Sequence, residues 1–149
     1  MDVTVYAHML IKNLLFWWGC FTFVVIIAVA SEKSYLKGGK RKNAEKEKRI
    51  SANIGWLLSL VAFGYCLYLT IPTVMDISHN DYISVHGVFN TQKIKYQIST
   101  WIVTDDGESI SLKMPNGSSN MFPSGENSGT IWYAENSKYV LEFIPDNAD

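Results

Sequence analysis

Two apolar segments separated by a short basic segment constrain this chain most strongly. Residues 14–30 contain no charged side chain, and neither do residues 51–75. Residues 31–50, between them, carry eight Lys/Arg and three Asp/Glu, a net charge of +5. A chain of 149 residues has too little other material to bury two such segments completely. The pattern predicts a transmembrane helical hairpin and excludes an evenly mixed soluble globule; 13% aromatic residues also exclude a disordered chain.

The first apolar segment is long enough to cross a bilayer. Residues 9–30 number 22, which corresponds to about 33 Å of helix against a hydrocarbon core of about 30 Å. The one charge among them, Lys12, lies near an end, where its ammonium can reach the headgroups. We therefore assign residues 1–30 to a short N-terminal tail and a first transmembrane helix at about 9–30.

Cleavage of this first segment is the alternative. Ala28-Val29-Ala30 has the small-x-small pattern that precedes a signal-peptide cleavage site. The basic residues that follow oppose export, and the leading segment has no net positive charge, which argues against a signal peptide.

The second apolar segment predicts a second transmembrane helix at about 53–72, followed by an exit linker to residue 77. Ile54 to Ile71 is 18 residues, or about 27 Å of helix. Pro72 has no N–H to continue the helical hydrogen bonds, so we expect the helix to end there.

Small residues on the second helix predict where it packs. Ser51, Gly55 and Ser59 recur every fourth position, a spacing that places them on one face and allows close helix contact in lipid. The expected partner is the first helix of the same chain, around Gly19. A homodimer formed through the same residues is the alternative.

The basic segment 31–50 predicts the orientation in the membrane. Short Lys/Arg-rich loops stay in the cytosol, so we expect both termini to be extracytoplasmic. At the inner leaflet such a loop also contacts anionic headgroups. The residues expected to do so are Lys37, Lys40, Arg41, Lys42, Lys46, Lys48 and Arg49. No nucleic-acid reader motif is present, so nucleic acid is not an expected partner.

Residues 78–149 form the third region and predict a small β domain. They carry four Lys/Arg and nine Asp/Glu, a net charge of −5, and no cysteine. Apolar residues alternate with polar ones, which is typical of half-buried strands. The segments expected as strands lie around 83–89, 94–102, 110–114, 131–133 and 139–144, with turns at Asp105-Asp106-Gly107 and at Glu135–Lys138. Five short strands predict an antiparallel sheet that curls into an OB-like or open barrel. An exported domain without disulfides suggests a bacterial plasma membrane.

The segment Pro115–Gly129 has no apolar periodicity and is expected to be a long loop. Met121 and Phe122 are its only large apolar residues. They are candidates for binding a partner; the alternative is that they fold inward and close one end of the barrel.

Catalytic and metal-binding motifs are absent from the sequence, so neither an enzyme nor a cofactor is expected. Asp76, His79 and Asp81 follow the second apolar segment and are interpreted as a solvated linker. The resulting hypothesis is a two-span membrane protein that displays an acidic β domain as a binding or protective module with a protein partner. The alternative is an accessory subunit of a transport or secretion complex, with contacts made through its spans.

Overall fold

In a computed structural model of the chain, the structure describes residues 3–36, 42–94, 97–116 and 125–146. The chain divides into two compact units. One unit, the helical hairpin, comprises residues 14–70; the other, the β unit, comprises residues 1–13 together with residues 71–149. The compact β unit therefore contains more of the chain than the expected domain at 78–149.

Two long helices make up the hairpin and extend into the β unit. Helix α1 spans Val3–Leu36 and α2 spans Lys42–His79. Both are long and apolar enough to cross a membrane, over Val3–Lys33 and Arg49–His79.

The expected helix end at Pro72 is wrong, because α2 continues through Pro72 for seven more residues. Thr73 and Asp76 are completely buried in the β unit, and this packing keeps the helix intact beyond the proline. The helix ends where Asn80 takes a left-handed conformation (φ 56°) and Asp81 N–H donates to the Asp76 carbonyl over 3.0 Å.

Small side chains line the contact between the two helices of the hairpin. Buried and half-buried positions on α2 repeat with the three-and-four spacing of a heptad: Ala52, Gly55, Ser59, Ala62, Cys66 and Leu69. A Cβ on Gly55 would lie 3.2 Å from Ala28 Cα. At this point the two backbones are as close as van der Waals contact allows, an approach typical of helices that associate in lipid.

Gly55 and Ser59 therefore lie on the packing face as expected, whereas Ser51 is exposed and Ala52 occupies the face instead. The expected contact at Gly19 is wrong. No atom lies within 4 Å of its Cβ position, and Ala28 is the residue of α1 that contacts Gly55. The sequence estimate placed the contact too close to the start of α1, because it considered only glycine as a small partner.

Large apolar side chains cover the outside of the helices. Of the 24 large apolar side chains that are exposed among the described residues, 21 lie on α1 or α2. An apolar exterior with small residues inside is the reverse of a water-soluble helix pair.

The sheet of the β unit has five antiparallel strands in the order β3-β2-β1-β4-β5. The strands are β1 Tyr82–Ile94, β2 Gln97–Thr104, β3 Ser109–Leu112, β4 Gly125–Ala134 and β5 Val140–Pro145. The expected turn at Asp105–Gly107 joins β2 to β3, with Gly107 at φ 82°. Strand β4 starts at Gly125, earlier than expected, because the polar residues 125–129 pair with β1 despite their lack of apolar alternation.

Two paired glycines lie where neighbouring backbone leaves no room for a side chain. Gly87 of β1 lies opposite Gly129 of β4. A Cβ on Gly87 would lie 2.1 Å from the Val103 carbonyl oxygen, and one on Gly129 would lie 2.3 Å from the Ile144 carbonyl oxygen. Neighbouring backbone thus occupies the space of both side chains, so only glycine fits at these two positions.

The two edge strands approach each other at one point. Lys113, just after β3, and Tyr139, just before β5, form an isolated parallel bridge. Lys113 N–H donates to the Lys138 carbonyl over 2.8 Å, and Val140 N–H donates to the Lys113 carbonyl over 2.9 Å.

The β unit has two buried apolar clusters. The first lies within the sheet and is made by Phe89, Ile102, Leu112, Ile131, Tyr133 and Val140. The second joins the start of α1 to the sheet, through Tyr6, Leu10, Tyr82, Ala134, Tyr139 and Leu141. Leu10 is completely buried there, and Tyr6 donates a hydrogen bond to Glu142. The first turns of α1 are therefore part of the core of the β unit and not a tail.

Candidate binding pocket

Some residues expected to be functional lie outside the described part of the chain. These are Met121, Phe122, Lys37, Lys40 and Arg41. Lys42, Lys46, Lys48 and Arg49 lie at the start of α2, and Arg49 is exposed there.

An open pocket of about 450 Å³ lies in the β unit beside the β2–β3 turn. We call it the His86 pocket; its lining residues are Ser84, Val85, His86, Thr104, Asp105, Asp106, Glu108, Ile110 and Tyr133. Its volume is in the range of small-ligand sites, which combine an apolar surface with a few polar groups. The turn sequence supplies Asp105, Asp106 and Glu108, whereas the strands supply the apolar residues.

His86 connects the pocket to the end of β5. Its Nδ1 lies 2.8 Å from Asp105 Oδ2, and its Nε2 lies 3.1 Å from Asp146 Oδ1. The hydrogen bond to Asp105, then the one to Asp146, raises the pKa of His86 above its ordinary value. Hydrogen bonds from Ser128 and then from His86 lower the pKa of Asp146. Two carboxylates on an imidazole favour the imidazolium.

These groups do not form a catalytic triad. The Ser128 hydroxyl donates to Asp146 and not to the imidazole, so His86 is not positioned to take its proton. Within the described ranges, no group of three or more His, Cys, Asp or Glu side chains is arranged to hold a metal ion. The described groups offer a ligand charge and hydrogen bonds at the pocket.

Tyr133 forms part of the apolar lining of the pocket. Its side chain is 4% exposed, and burial followed by the charge of Glu135 raises the pKa of its hydroxyl. The Lys138 ammonium lies 5.2 Å from the centre of its ring. The hydroxyl is therefore neutral at physiological pH and can either donate or accept a hydrogen bond.

Asp76 corrects the interpretation of residues 76–81 as a solvated linker. It is completely buried, and its carboxylate accepts hydrogen bonds from Asn136 N–H (2.7 Å), Asn136 Nδ2 (2.9 Å) and Ser137 N–H (2.9 Å). These bonds fix the end of α2 to the β4–β5 turn. Burial and the Asp76 charge together raise the pKa of Tyr82.

The sequence carried a weak signal for Asp76 and none for the pocket. An acid directly after an apolar segment indicates either an exit from the membrane or a helix-terminal contact, and only the fold distinguishes them. The pocket combines residues from β1, β2, β3, β4 and the β2–β3 turn, and the β1 and β4 residues are distant from the turn in sequence.

Comparison of the chain with protein-family models, with curated proteins and with solved structures found no match.

Proposed function

We propose that the chain is a two-span membrane protein whose helical hairpin lies in the bilayer and whose β unit lies outside it. The apolar exterior of the helices supports the insertion. The lengths support it too: Leu14–Ala30 and Ile50–Thr70 contain 17 and 21 residues, or about 26 and 32 Å of helix, close to the hydrocarbon thickness.

The β unit contains segments from both ends of the described chain, which supports placing both termini on the same side. Residues 1–13 and 71–149 form one unit, so they lie on one side of the membrane and the chain crosses it an even number of times. The eight Lys/Arg of the loop favour a cytosolic loop, and therefore termini outside the cytosol. Cleavage after Ala30 would remove Tyr6 and Leu10 from the core of the β unit, which supports retention of the first helix.

The strand order and the bridge between the edge strands favour an OB-like barrel for the β unit. The strand order together with the parallel Lys113–Tyr139 bridge is the connectivity of a five-stranded Greek-key barrel that closes between its third and fifth strands. The glycine pair at Gly87 and Gly129 provides the curvature that such closure requires.

We infer that the β unit is a non-enzymatic binding module, and the observation that carries this is the His86 pocket. It offers an apolar surface and three turn carboxylates without a nucleophile activated by a base. The net charge of −5 over residues 78–149 favours a basic partner.

The accessory-subunit alternative has one observation in its favour. Gly19 and Gly64 are exposed on the helices, and no atom lies within 4 Å of either Cβ position. In lipid such positions allow close approach by a helix of another protein. The Ser59 and Gly55 face, in contrast, is occupied within the chain, so a homodimer through that face is not proposed.

Cysteine labelling tests the orientation. With Cys20 and Cys66 replaced by Ala, single cysteines at His8, Lys42 and Ser119 are exposed to an impermeant thiol reagent on intact cells. We expect labelling at positions 8 and 119 and none at 42 until the membrane is permeabilised. Labelling at 42 alone, or at only one of 8 and 119, would contradict the proposal.

Exchange of the helical hairpin distinguishes the binding-module hypothesis from the accessory-subunit hypothesis. Replacing residues 14–70 by an unrelated two-helix hairpin of equal length keeps the β unit intact. A binding module retains its partner after this exchange, whereas an accessory subunit loses it. Retention of residues 1–13 in the hybrid is necessary, because they belong to the core of the β unit.

A further inference from the structure

We propose that the His86 pocket binds the side chain of a Lys or Arg presented by a partner polypeptide outside the membrane. This inference rests on the proposed function of the β unit as an extracytoplasmic binding module, and it names the group that the module recognises.

The apolar part of the pocket matches the stem of a long basic side chain. Val85, Ile110 and Tyr133 contribute apolar surface from three different strands. Lys and Arg bury their methylene groups on such surfaces while the charged end remains at a polar rim. A volume of about 450 Å³ accommodates an extended side chain and is far larger than a bound metal ion needs.

The rim supplies the opposite charge. No Lys or Arg of the described residues lies within ion-pair distance of Asp105, Asp106 or Glu108. Asp105 is shared with His86, whereas the other two carboxylates are left for a ligand. A guanidinium with its planar set of N–H donors can bind two carboxylates at once, as can an ammonium with less geometric selectivity.

A second observation points to a ligand independently of the acidic residues. Tyr133 lines the pocket, is 4% exposed, and its hydroxyl forms no hydrogen bond with the described residues. Its oxygen is not one of the fully buried atoms without a partner, so the hydroxyl keeps some accessible surface and is open to a ligand. A Lys or Arg N–H that enters the pocket would provide a partner.

A protein is the favoured source of the basic group. The negative charge is distributed over the whole of residues 78–149 and not only at the pocket, so it attracts a partner with an extended basic surface. A free small amine would gain affinity from the pocket but none from the negative charge on the rest of the domain.

The test uses the full chain in nanodiscs of zwitterionic phosphatidylcholine, so that anionic lipid does not compete. The probes are the peptide acetyl-Gly-Gly-Arg-Gly-Gly-amide and the same peptide with citrulline, which keeps the shape and removes the charge. Binding is followed by NMR of the backbone amides of residues 104–110. We expect the Arg peptide to shift these signals with an affinity about tenfold above that of the citrulline peptide.

Matched variants locate the interaction. Glu108→Gln removes one charge at the pocket, and Glu126→Gln removes one at the distant end of β1 and β4 while keeping an acceptor for Asn90 Nδ2. We expect about a fivefold loss of Arg-peptide affinity for Glu108→Gln, a larger loss for Asp106→Asn combined with Glu108→Gln, and almost none for Glu126→Gln. Tyr133→Phe keeps the ring and is expected to weaken binding about threefold.

Three outcomes would overturn the proposal. Equal affinity for the Arg and citrulline peptides would remove the role of charge. Equal losses for Glu108→Gln and Glu126→Gln would assign binding to general attraction and not to the pocket. Binding of free ethylguanidine as tight as that of the peptide would assign the site to a small molecule. In each case the labelling and segment-exchange experiments would still decide the broader function separately.

Discussion

The two units of this chain use opposite arrangements of apolar and small side chains. In the helical hairpin, small residues such as Gly55 and Ser59 face inward, and large apolar residues such as Leu15 and Leu60 face outward. In the β unit, Phe89 and Ile102 are completely buried. The hydrophobic effect drives burial only where water is the alternative environment. For helices in lipid, as proposed for the hairpin, close packing and hydrogen bonds hold the contact instead.

Polar contacts differ in the same way. In the hairpin, pairs of side chains share one hydrogen bond each. Trp18 Nε1–H donates to Thr70 Oγ1 over 3.1 Å, and Trp56 Nε1–H donates to Glu32 Oε2 over 3.2 Å. In the β unit, the buried carboxylate of Asp76 accepts three hydrogen bonds. A buried carboxylate requires partners of this kind, because a buried polar group without hydrogen bonds is costly.

The largest loss of stability is expected from Gly87→Ala. This substitution also tests whether glycine has a different role in each unit. A Cβ on Gly87 would lie 2.1 Å from a backbone oxygen, so β1 and β2 would have to separate. We expect a loss of more than about 3 kcal/mol of unfolding free energy, enough to disorder the sheet. Gly19→Ala in the hairpin is the matched control and should leave the thermal midpoint in detergent unchanged. A melt of Gly87→Ala that equals the parent would show that the sheet does not curl tightly there.

A leucine pair on α1 compares the two units within a single helix. Leu10 is completely buried in the β unit, and Leu15 is 66% exposed on the hairpin. We expect Leu10→Ala to cost about 2–4 kcal/mol in the unfolding of the β unit, and Leu15→Ala to cost almost nothing. The circular dichroism of the β-sheet, followed during chemical unfolding, measures the loss of stability in both variants. Equal behaviour of the two variants would mean that the first turns of α1 do not belong to that core, and would reopen cleavage after Ala30.

The sequence predicts elements that are local and fails where contacts are distant. The two apolar helices, the five strands and the Asp105–Gly107 turn follow from periodicity and turn chemistry, and the structure confirms them. The role of Leu10 was hidden, because an apolar residue next to a transmembrane segment has the same pattern whether it faces lipid or a protein core.

Other differences have the same origin. The start of β4 at Gly125 depends on pairing with β1, and the continuation of α2 through Pro72 depends on burial of Thr73. The His86 pocket joins four strands and one turn, so no local pattern indicates it. The acidic turn residues were visible, but without the fold they were interpreted only as parts of a turn.

A smaller effect is expected at the hairpin contact. Gly55→Val would introduce side-chain atoms where a Cβ is already 3.2 Å from Ala28 Cα, so the helices must move apart. We expect a loss of about 1–2 kcal/mol, measured by unfolding in increasing SDS. Gly64→Val, on the open side of the same helix, is the control that should change the midpoint little. If both variants lose the same stability, helix propensity and not packing explains the effect.

The smallest effect concerns His86 and is a dependence on pH. Its pKa is raised from an ordinary value of 6.5 by the hydrogen bonds to Asp105 and Asp146, so the folded β unit binds the proton more tightly than the unfolded chain. The contribution to stability is therefore complete below the unfolded pKa and disappears as the pH rises through the folded pKa. On the acid side, Asp146 has a pKa lowered from 3.8, so its contribution is present above that value and is lost as the pH falls through the folded pKa.

We expect the difference in melting temperature between the parent and His86→Gln to be greatest in mildly acidic solution, from about pH 5 to 6, and to vanish at alkaline pH. Leu15→Ala provides a control without a titratable group. A difference that grows with rising pH would have the wrong sign for an imidazolium between two carboxylates, and would indicate that the neutral ring stabilises this end of the sheet.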